Sequence, residues 1–462
     1  MAPHIKQDEP KMTESSSDIV TNMLVDFVSN LDAKSLPAPV LHETKRSMVD
    51  SIGCIVGGSN HLVVARATNT LSEFFGPPQA SLLGQDRQAD IFHASLINGL
   101  AGAAYSFFDS YSAAHLHAGV VHAAALLAVS ERVNVSGTDF LAAYCAGLEV
   151  ACRLTKAIAL PPAEADIGWS IGGIVCGLSS ALAAGSLLRL NRDQMTWALG
   201  IAASGAAGTR AEHGTMTAAL IFGQAAQNGV RAAILAADGF TSSSASLEGA
   251  HGFTHMFSKR ANIEALVETL DARYEMPLTT YKPFPTDIAI HPGIDAMLRL
   301  KAEYGFESRE VVRVRVGASE LAATFCDRPD PADELEAKFS LQHWVAAAAT
   351  HGKAQLEQGK IDVVQDLEIK RLRAAIQVAA DADLAWDATE MSVELADGRH
   401  VQTHIVHCVG SVQSPMSDDE VDAKFIAQAS LAIGSDRAAQ LAKMCWEVEN
   451  ITDVSVLAKS AC

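Results

Sequence analysis

The sequence has little charge, and basic residues are in the minority. Only 19% of its 462 residues are charged, and 35 Lys and Arg stand against 54 Asp and Glu, for a formal net charge of -19. Nucleic acids and anionic membranes attract basic proteins, so this balance argues against either as the main partner. The net negative charge does not exclude a small anionic substrate, because a local basic pocket can lie within an acidic protein. The length and the 49% hydrophobic content suit two or three domains with a large buried core.

The motifs of several common site types are also missing. The eight cysteines contain no CxxC pair, which predicts reduced core residues in a cytosol-like compartment rather than a disulfide frame or a zinc site. No GxSxG elbow, no P-loop and no GxGxxG after a strand is present. We therefore expect no nucleotide or other cofactor and no metal.

Neither a secretory signal nor a clear membrane span is indicated. The N-terminal "MAPHIKQDEPKMTESSSD" is polar and charged and has no apolar core of a signal peptide. We predict a disordered tail over residues 1–17 and a cytoplasmic protein, with the mitochondrion as the alternative compartment. Residues 167–188 carry no charge and could cross a bilayer by length, but they contain five glycines. That composition favours a tightly packed, buried helix.

Helical periodicity dominates residues 18–268, and the pattern then changes. Segments such as "AALIFGQAAQNGVRAAILAADG" place apolar residues at helical spacing. Further on, "REVVRVRVGA" and "ATEMSVELADGRHVQTHIVHC" alternate apolar and polar residues, as half-buried strands do, with the helical "ELEAKFSLQHWVAAAATHG" between them. We predict a mainly α protein with a helical domain over 18–268, a smaller α+β domain over 269–408, and a helical return over 409–462.

Six blocks of sequence follow one another in a recognisable order. They are "DSIGCIVGG", "HASLINGLAGAAYSFFD" leading to "HLHAG", "GTMTAALIFGQAAQNGVRAA", "YKPFPTDIAIHPGIDA", "RPDPADELEAKFSLQHWVAAA" and "SPMSDDEVDAKF". Together they resemble the MmgE/PrpD family, which includes 2-methylcitrate dehydratase, cis-aconitate decarboxylase and iminodisuccinate epimerase. The resemblance implies a large all-helical domain, a smaller α+β lid, a homodimer, and a cofactor-free active site between the two domains.

The resemblance is incomplete at the polar positions before the first family histidine. By spacing, His117 takes that histidine position, and Asp109 keeps one of the aspartates that precede it. Phe107 stands where the first aspartate usually stands, and Tyr111 replaces a small hydroxyl or similar residue.

Later polar positions are also partly replaced. Ser170, in "GWS", stands at the second family histidine, while Ala218 and Ile221 replace a lysine and a histidine. The lid lysine survives as Lys282 and the lid histidine as His291. The lost positive charge and the apolar Phe107, Tyr111 and Ile221 predict a less anionic or bulkier substrate than methylcitrate.

The stretch "DSYSAAHLHAGVVHAAALLA" holds the candidate proton carrier. His117 is the best candidate, since a neutral imidazole near its own pKa can take or return a proton at pH 7. The alternative is a structural histidine that bonds a carbonyl near a helix start. We expect His115 and His122 to be structural. The three histidines lie two and five residues apart, so they do not share one helical face, which argues against a metal site.

Lys282 and Asp109 are the other two candidate catalytic residues. Lys282 could hold a substrate carboxylate or polarise a carbonyl, and its Pro-Phe-Pro neighbours restrict the backbone; the alternative is a solvated surface lysine. Asp109 could orient a histidine or act as an acid, or it could cap the next helix.

Further residues are predicted to bind the substrate. Arg210 can bind a carboxylate through two hydrogen bonds from its guanidinium and so replace the charge of the lost lysine. The alternative is an ordinary loop ion pair with Glu212. His213 lies near it, and Ser170 can donate a hydrogen bond. The remaining predicted contacts are Tyr111 and His291.

These residues predict an enzyme that moves a proton next to a carboxylate or carbonyl of a small organic acid. Loss of hydroxide or of CO2 would make it a dehydratase or a decarboxylase, and return of the proton on the other face an epimerase. The alternative is a dimeric relative that kept the fold and lost the site. The two hypotheses differ in whether His117, Lys282 and Asp109 face one cavity.

Overall fold

A computed structural model describes residues 17–462; apart from Ser17, the predicted N-terminal tail lies outside the described residues. Among the described residues, ten α-helices precede residue 260, and most of them are long and buried. They are α1 (Ser17–Asn30), α2 (Ala38–Gly58), α3 (Leu62–Leu71), α4 (Ile91–Ala103), α5 (Gly119–Ser130), α6 (Gly137–Ala159), α7 (Ile171–Leu187), α8 (Arg192–Ala203), α9 (Thr217–Ala237) and α10 (Phe253–Phe257). The buried α7 confirms the predicted packed helix in the uncharged stretch.

The second half of the chain mixes helices and strands before it becomes helical again. The helices are α11 (His291–Tyr304), α12 (Glu320–Cys326), α13 (Glu334–Ala337), α14 (Leu341–His351), α15 (Ile361–Val364), α16 (Leu367–Ala375), α17 (Asp418–Ile433), α18 (Ser435–Trp446) and α19 (Ser455–Ser460). The strands of the whole described chain are β1 (Ala80–Ser81), β2 (Gln88–Ala89), β3 (Asp109–Tyr111), β4 (Glu164–Ala165), β5 (Ser258–Arg260), β6 (Thr279–Tyr281), β7 (Val311–Ala318), β8 (Ile376–Ala380), β9 (Thr389–Leu395) and β10 (His400–Ile405). This mainly α composition, with a smaller α+β portion, confirms the predicted fold class.

The four-stranded sheet has the order β10-β9-β7-β8. The hairpin β9–β10 and the pair β7–β9 are antiparallel, whereas β7 and β8 run parallel, because the chain between them crosses over through α12 to α16. Burial alternates along β9, as expected for a strand with one face on a core. The sequence analysis did not predict β8. It predicted a single helix in "ELEAKFSLQHWVAAAATHG", but the structure has two. The second, α14, begins after Ser340, whose hydroxyl accepts the His343 N–H.

The buried apolar side chains form two clusters. One takes its members from 24 to 281 and again from 416 to 461, and the other takes its members from 284 to 408. The C-terminal α17 packs on α2, where Lys424 Nζ lies 2.6 Å from the Asp50 carboxylate. The last helices therefore return to the helical core, and the four-stranded sheet has a core of its own.

All eight cysteines are free thiols, seven of them buried, as the sequence predicts. Within residues 17–462, no group of three His, Cys, Asp or Glu side chains could hold a metal ion. No single described helix is long and apolar enough to cross a bilayer. By length and composition alone, the bent pair Ala38–Gly58 and Leu62–Phe74 could do so.

Helices α4 and α9 approach each other closely at two glycines. A Cβ on Gly223 would lie 2.3 Å from the Leu96 carbonyl oxygen, and one on Gly99 would lie 2.9 Å from Gly223 Cα. Backbone atoms cannot move aside as a flexible side chain can, so glycine is required at this crossing. The contact fixes the position of α9, whose first turns reach the cavity described below.

We expect Gly223→Ala to lower the free energy of unfolding by about 1–3 kcal/mol, because the added methyl group forces the two backbones apart. Urea denaturation followed by circular dichroism would measure it. Gln224→Ala is the matched control, since Gln224 is exposed on the same helix and should change stability by less than about 0.5 kcal/mol. Equal denaturation midpoints for the two variants would contradict the close packing.

Candidate active site

A two-stranded sheet joins two distant parts of the chain at the site. Strand β3 pairs antiparallel with β6, with Asp109 opposite Tyr281 and Tyr111 opposite Thr279. Lys282 follows β6 directly. On the other side, the backbone of Tyr111 bonds that of Leu116 in both directions, at 2.7 and 3.3 Å, and this closes the loop that carries His115. The pairing therefore brings the histidine segment next to Lys282.

His117 is held in one tautomer by a backbone carbonyl. Its Nδ1 lies 2.6 Å from the Asp109 carbonyl oxygen, and because a carbonyl only accepts, Nδ1 carries the proton. Nε2 is then left with its lone pair. Burial, followed by the charge of Lys282, lowers the pKa of His117 well below its usual value. The imidazole is therefore a neutral base at pH 7.

Lys282 is fully enclosed, which contradicts the alternative of a solvated surface lysine. Its Nζ donates to the Ser106 carbonyl at 3.1 Å, to the Ser106 hydroxyl at 3.3 Å and to the Thr286 carbonyl at 3.1 Å. The same atom lies 4.6 Å from the centre of the Phe108 ring, and that ring lies 4.4 Å from the His117 ring. Burial lowers the pKa of Lys282 to about 8.

Asp109 orients the histidine through its backbone and caps the next helix with its side chain. Both carboxylate oxygens accept the Gly119 N–H, at 3.2 and 3.0 Å, at the start of α5. Burial, followed by the charge of Asp50, raises the pKa of Asp109 to about 7. The side chain does not line the cavity, so Asp109 is a positioning residue.

Between the helical and the α+β portions lies a cavity of about 80 Å³. Four of the predicted site residues line it. They are His117, Ser170, Arg210 and His213. The polar lining also includes Ser106, His115, Asp287 and Lys338, and the apolar wall includes Phe108, Ile171, Ile221, Phe222, Leu321, Phe325 and Phe339.

Arg210 presents an unpaired cation to this cavity. Its guanidinium has no hydrogen bond or ion pair within residues 17–462, so the alternative pairing with Glu212 is not formed, and it lies 5.4 Å from the Phe325 ring centre. His213 stacks on Phe339 with ring centres 4.5 Å apart, and burial lowers its pKa. Its Nδ1 is buried without a partner in the described chain. A charged fork beside neutral imidazoles is well suited to hold a carboxylate.

Positive charge predominates around the cavity. Arg210 and Lys338 line it and Lys282 lies directly behind it, while Asp287 is the one carboxylate in the lining. Burial lowers the pKa of Lys338 to about 8. Ser170 and Ile171 also place the N-terminal end of α7 at the cavity, which adds a favourable dipole for an anion.

Three further residues that the sequence analysis placed at the site do not line this cavity. Tyr111 lies away from the cavity, where its hydroxyl donates to the Glu275 carboxylate at 3.1 Å. Phe107, expected to make the pocket apolar, lies instead beneath Lys424 Nζ, 4.3 Å from its ring centre. His291 is buried at the start of α11 with no position on the cavity. Each is occupied in packing or in structural hydrogen bonds.

Sequence reasoning missed three titratable lining residues, and Ser106 as well. His115 was expected to be structural but lines the cavity, while His122 is buried in α5 with Nδ1 2.8 Å from the Ala118 carbonyl. Asp287 and Lys338 were not singled out. Asp287 could have been identified from the sequence, because it lies five residues after Lys282 in the same proline-rich turn. Nothing in the sequence identifies Lys338, because only tertiary packing brings α13 to the cavity.

Comparisons with known proteins agree with this architecture. The model of the MmgE/PrpD N-terminal domain matches residues 22–266, and that of the C-terminal domain matches residues 284–448. A cis-aconitate decarboxylase-like protein of Aspergillus oryzae is 26% identical over 95% of this chain and 96% of its own. The cis-aconitate decarboxylase of Homo sapiens is 26% identical over 95% and 93%, and that of Aspergillus terreus is 24% identical over 96% and 97%. With both domain models matched in order, the chain belongs to the MmgE/PrpD family.

Proposed function

We propose that the protein is a lyase that decarboxylates or dehydrates a small organic acid by proton transfer next to a carboxylate. The observation that carries this proposal is the tautomer of His117, whose Nδ1–H is fixed on a backbone carbonyl while the ring lines a cavity with an unpaired arginine. The names of the relatives, cis-aconitate decarboxylases, support the same reaction class.

The proposed roles follow from position and charge. Arg210 anchors a substrate carboxylate, and His117 Nε2 takes or returns the proton on the neighbouring carbon. Negative charge develops on the substrate during either elimination or decarboxylation. The ammonium of Lys282, buried directly behind Phe108 and Ser106, stabilises that charge through a medium of low dielectric.

The cavity also supports a substrate with an apolar substituent. Ala218 and Ile221 stand where the family resemblance implies a lysine and a histidine, and both line the cavity. Phe222, Leu321 and Phe325 continue the apolar wall. Such a wall favours a substrate that is less anionic or bulkier than methylcitrate.

We expect His117→Ala to reduce kcat/KM by at least about 100-fold, since general acid–base catalysis contributes a factor of about 10²–10⁴ to the rate.

Arg210→Met should raise KM by about 10-fold or more, because a charge-assisted hydrogen bond to the substrate is lost. The assay is incubation in D2O with di- and tricarboxylates, cis-aconitate among them, and with their esters, followed by NMR and mass spectrometry.

Arg260→Met is the matched control for Arg210→Met, because Arg260 is exposed on β5 and does not line the cavity. Its kinetic constants should equal those of the wild type. Deuterium uptake or CO2 release that persists in His117→Ala at the wild-type rate would refute the assigned proton carrier.

The pH dependence of kcat/KM should have its descending limb near pH 8. The pKa of His117 lies well below its usual value, so the base is neutral at pH 7 and above. Lys282, in contrast, loses its proton near pH 8 and the stabilising charge disappears. Because Lys338 titrates in the same range, Lys338→Arg, which stays charged, identifies the group. If the descending limb is unchanged in Lys338→Arg, the group that titrates is Lys282. If the limb moves to higher pH, the group is Lys338. A profile that stays flat to pH 10 contradicts both assignments.

A further inference from the structure

Asp287 has a negative charge in a site otherwise suited to anions. This charge opposes the effect of burial on the pKa of Lys282, but the proposed reaction gives Asp287 no contact with the substrate. It lines the cavity, and no other Asp or Glu of residues 17–462 does so. Burial would raise the pKa of this carboxyl, but the charge of Lys282 and the hydrogen bond from the Ala289 N–H hold it at about 2. Asp287 is therefore ionised at any working pH.

The backbone holds this carboxylate in a fixed place. Asp287 Oδ1 accepts the Ala289 N–H at 3.0 Å and so caps the turn Ile288–Ile290. The Asp287 N–H donates to the Lys338 carbonyl at 3.1 Å. Among the described residues, no nitrogen or oxygen donor bonds Oδ2, and the side chain that donates to this carboxylate is the Cys326 thiol, a weak donor. The carboxylate therefore keeps unused accepting capacity.

Asp287 and Arg210 line the same cavity, and their charges interact. Burial lowers the pKa of Arg210, and the charge of Asp287 opposes that effect. The group next to a carboxylate held by Arg210 therefore comes near the aspartate. A second carboxylate there would face a like charge in a poorly solvated site, which is strongly unfavourable. A hydroxyl or an ammonium group would instead donate to the open oxygen.

We propose that Asp287 selects acids that carry a hydrogen-bond donor, a hydroxyl or an ammonium group, beside the carboxylate held by Arg210, and rejects acids that carry a second carboxylate at that position. This inference rests on the proposed function for the identity of the site and of its carboxylate anchor. Asp287 is thus a specificity-determining residue, whereas His117 carries the proton.

Four matched probes separate these possibilities. Butyrate, 2-hydroxybutyrate, 2-aminobutyrate and ethylmalonate share an ethyl group on the carbon next to a carboxylate. They differ only in the second substituent of that carbon, which is hydrogen, hydroxyl, ammonium or carboxylate. NMR titration of the full-length protein gives the Kd of each, and no turnover is required.

For the wild type, we expect 2-hydroxybutyrate or 2-aminobutyrate to bind at least about 10-fold more tightly than butyrate, and ethylmalonate at least about 10-fold more weakly. The comparison of the hydroxyl with the ammonium probe decides which donor is preferred. Asp287→Asn removes the charge but keeps an oxygen that can cap the turn. It should abolish the donor preference and bind ethylmalonate about 10-fold more tightly than the wild type does.

Asp362→Asn is the control, because Asp362 is exposed on α15 and away from the cavity, and its four Kd values should match the wild type. The proposal is overturned if the wild type binds ethylmalonate as tightly as the donor probes, if it binds none of the four, or if Asp287→Asn keeps the wild-type order. Should Asp287→Asn fail to fold, the wild-type order alone decides. Because binding is measured, a protein without lyase activity would refute the proposed function and leave this test intact.

Discussion

The hydrogen bond from His117 Nδ1 to the Asp109 carbonyl is the contact on which the rest of the site depends. Asp109 belongs to β3, its carbonyl fixes the imidazole, and its carboxylate caps α5. The partner strand β6 leads directly into Lys282. Since the acceptor is a backbone carbonyl, the tautomer of His117 is independent of the protonation of Asp109, whose pKa is raised to about 7. A three-residue strand pairing thus places both the base and the buried cation.

Burial lowers the pKa values of the histidines and of the lysine alike, but only the histidines lose their charge at pH 7. Loss of solvent disfavours charge on His115, His117 and His213, which remain neutral and able to accept a proton. Burial also lowers the pKa of Lys282, but only to about 8, because the charge of Asp287 opposes the effect of burial. Lys282 therefore stays protonated at pH 7. A neutral base beside a charged lysine is the combination that an elimination or a decarboxylation requires.

Much of the fold could be predicted from the sequence, because long helices and half-buried strands have clear periodicities. The exceptions are short or lie within crossovers: β8, and the three-residue strands β3 and β6, which are too brief to have a period. The site was predictable only where local sequence points to it, as for His117 and Arg210. Tyr111 and His291 have side chains suited to a site, but the Tyr111 hydroxyl bonds Glu275 and His291 is buried in the core. Lys338 could not be found, since its position depends on packing between distant segments.

The replaced polar positions alter the chemistry of the cavity without disturbing its frame. Ala218 and Ile221 lie in the first turns of α9, and the glycine contact with α4 fixes that helix regardless of which side chains face the cavity. The cation that the helix lacks is supplied by Arg210, which comes from the loop just before α9. This part of the wall therefore takes its positive charge from the loop, and the surface that α9 presents to the cavity is apolar. A substrate held in this cavity would meet Arg210 and the apolar surface on adjoining segments, with His117, which lies just before α5, beside them.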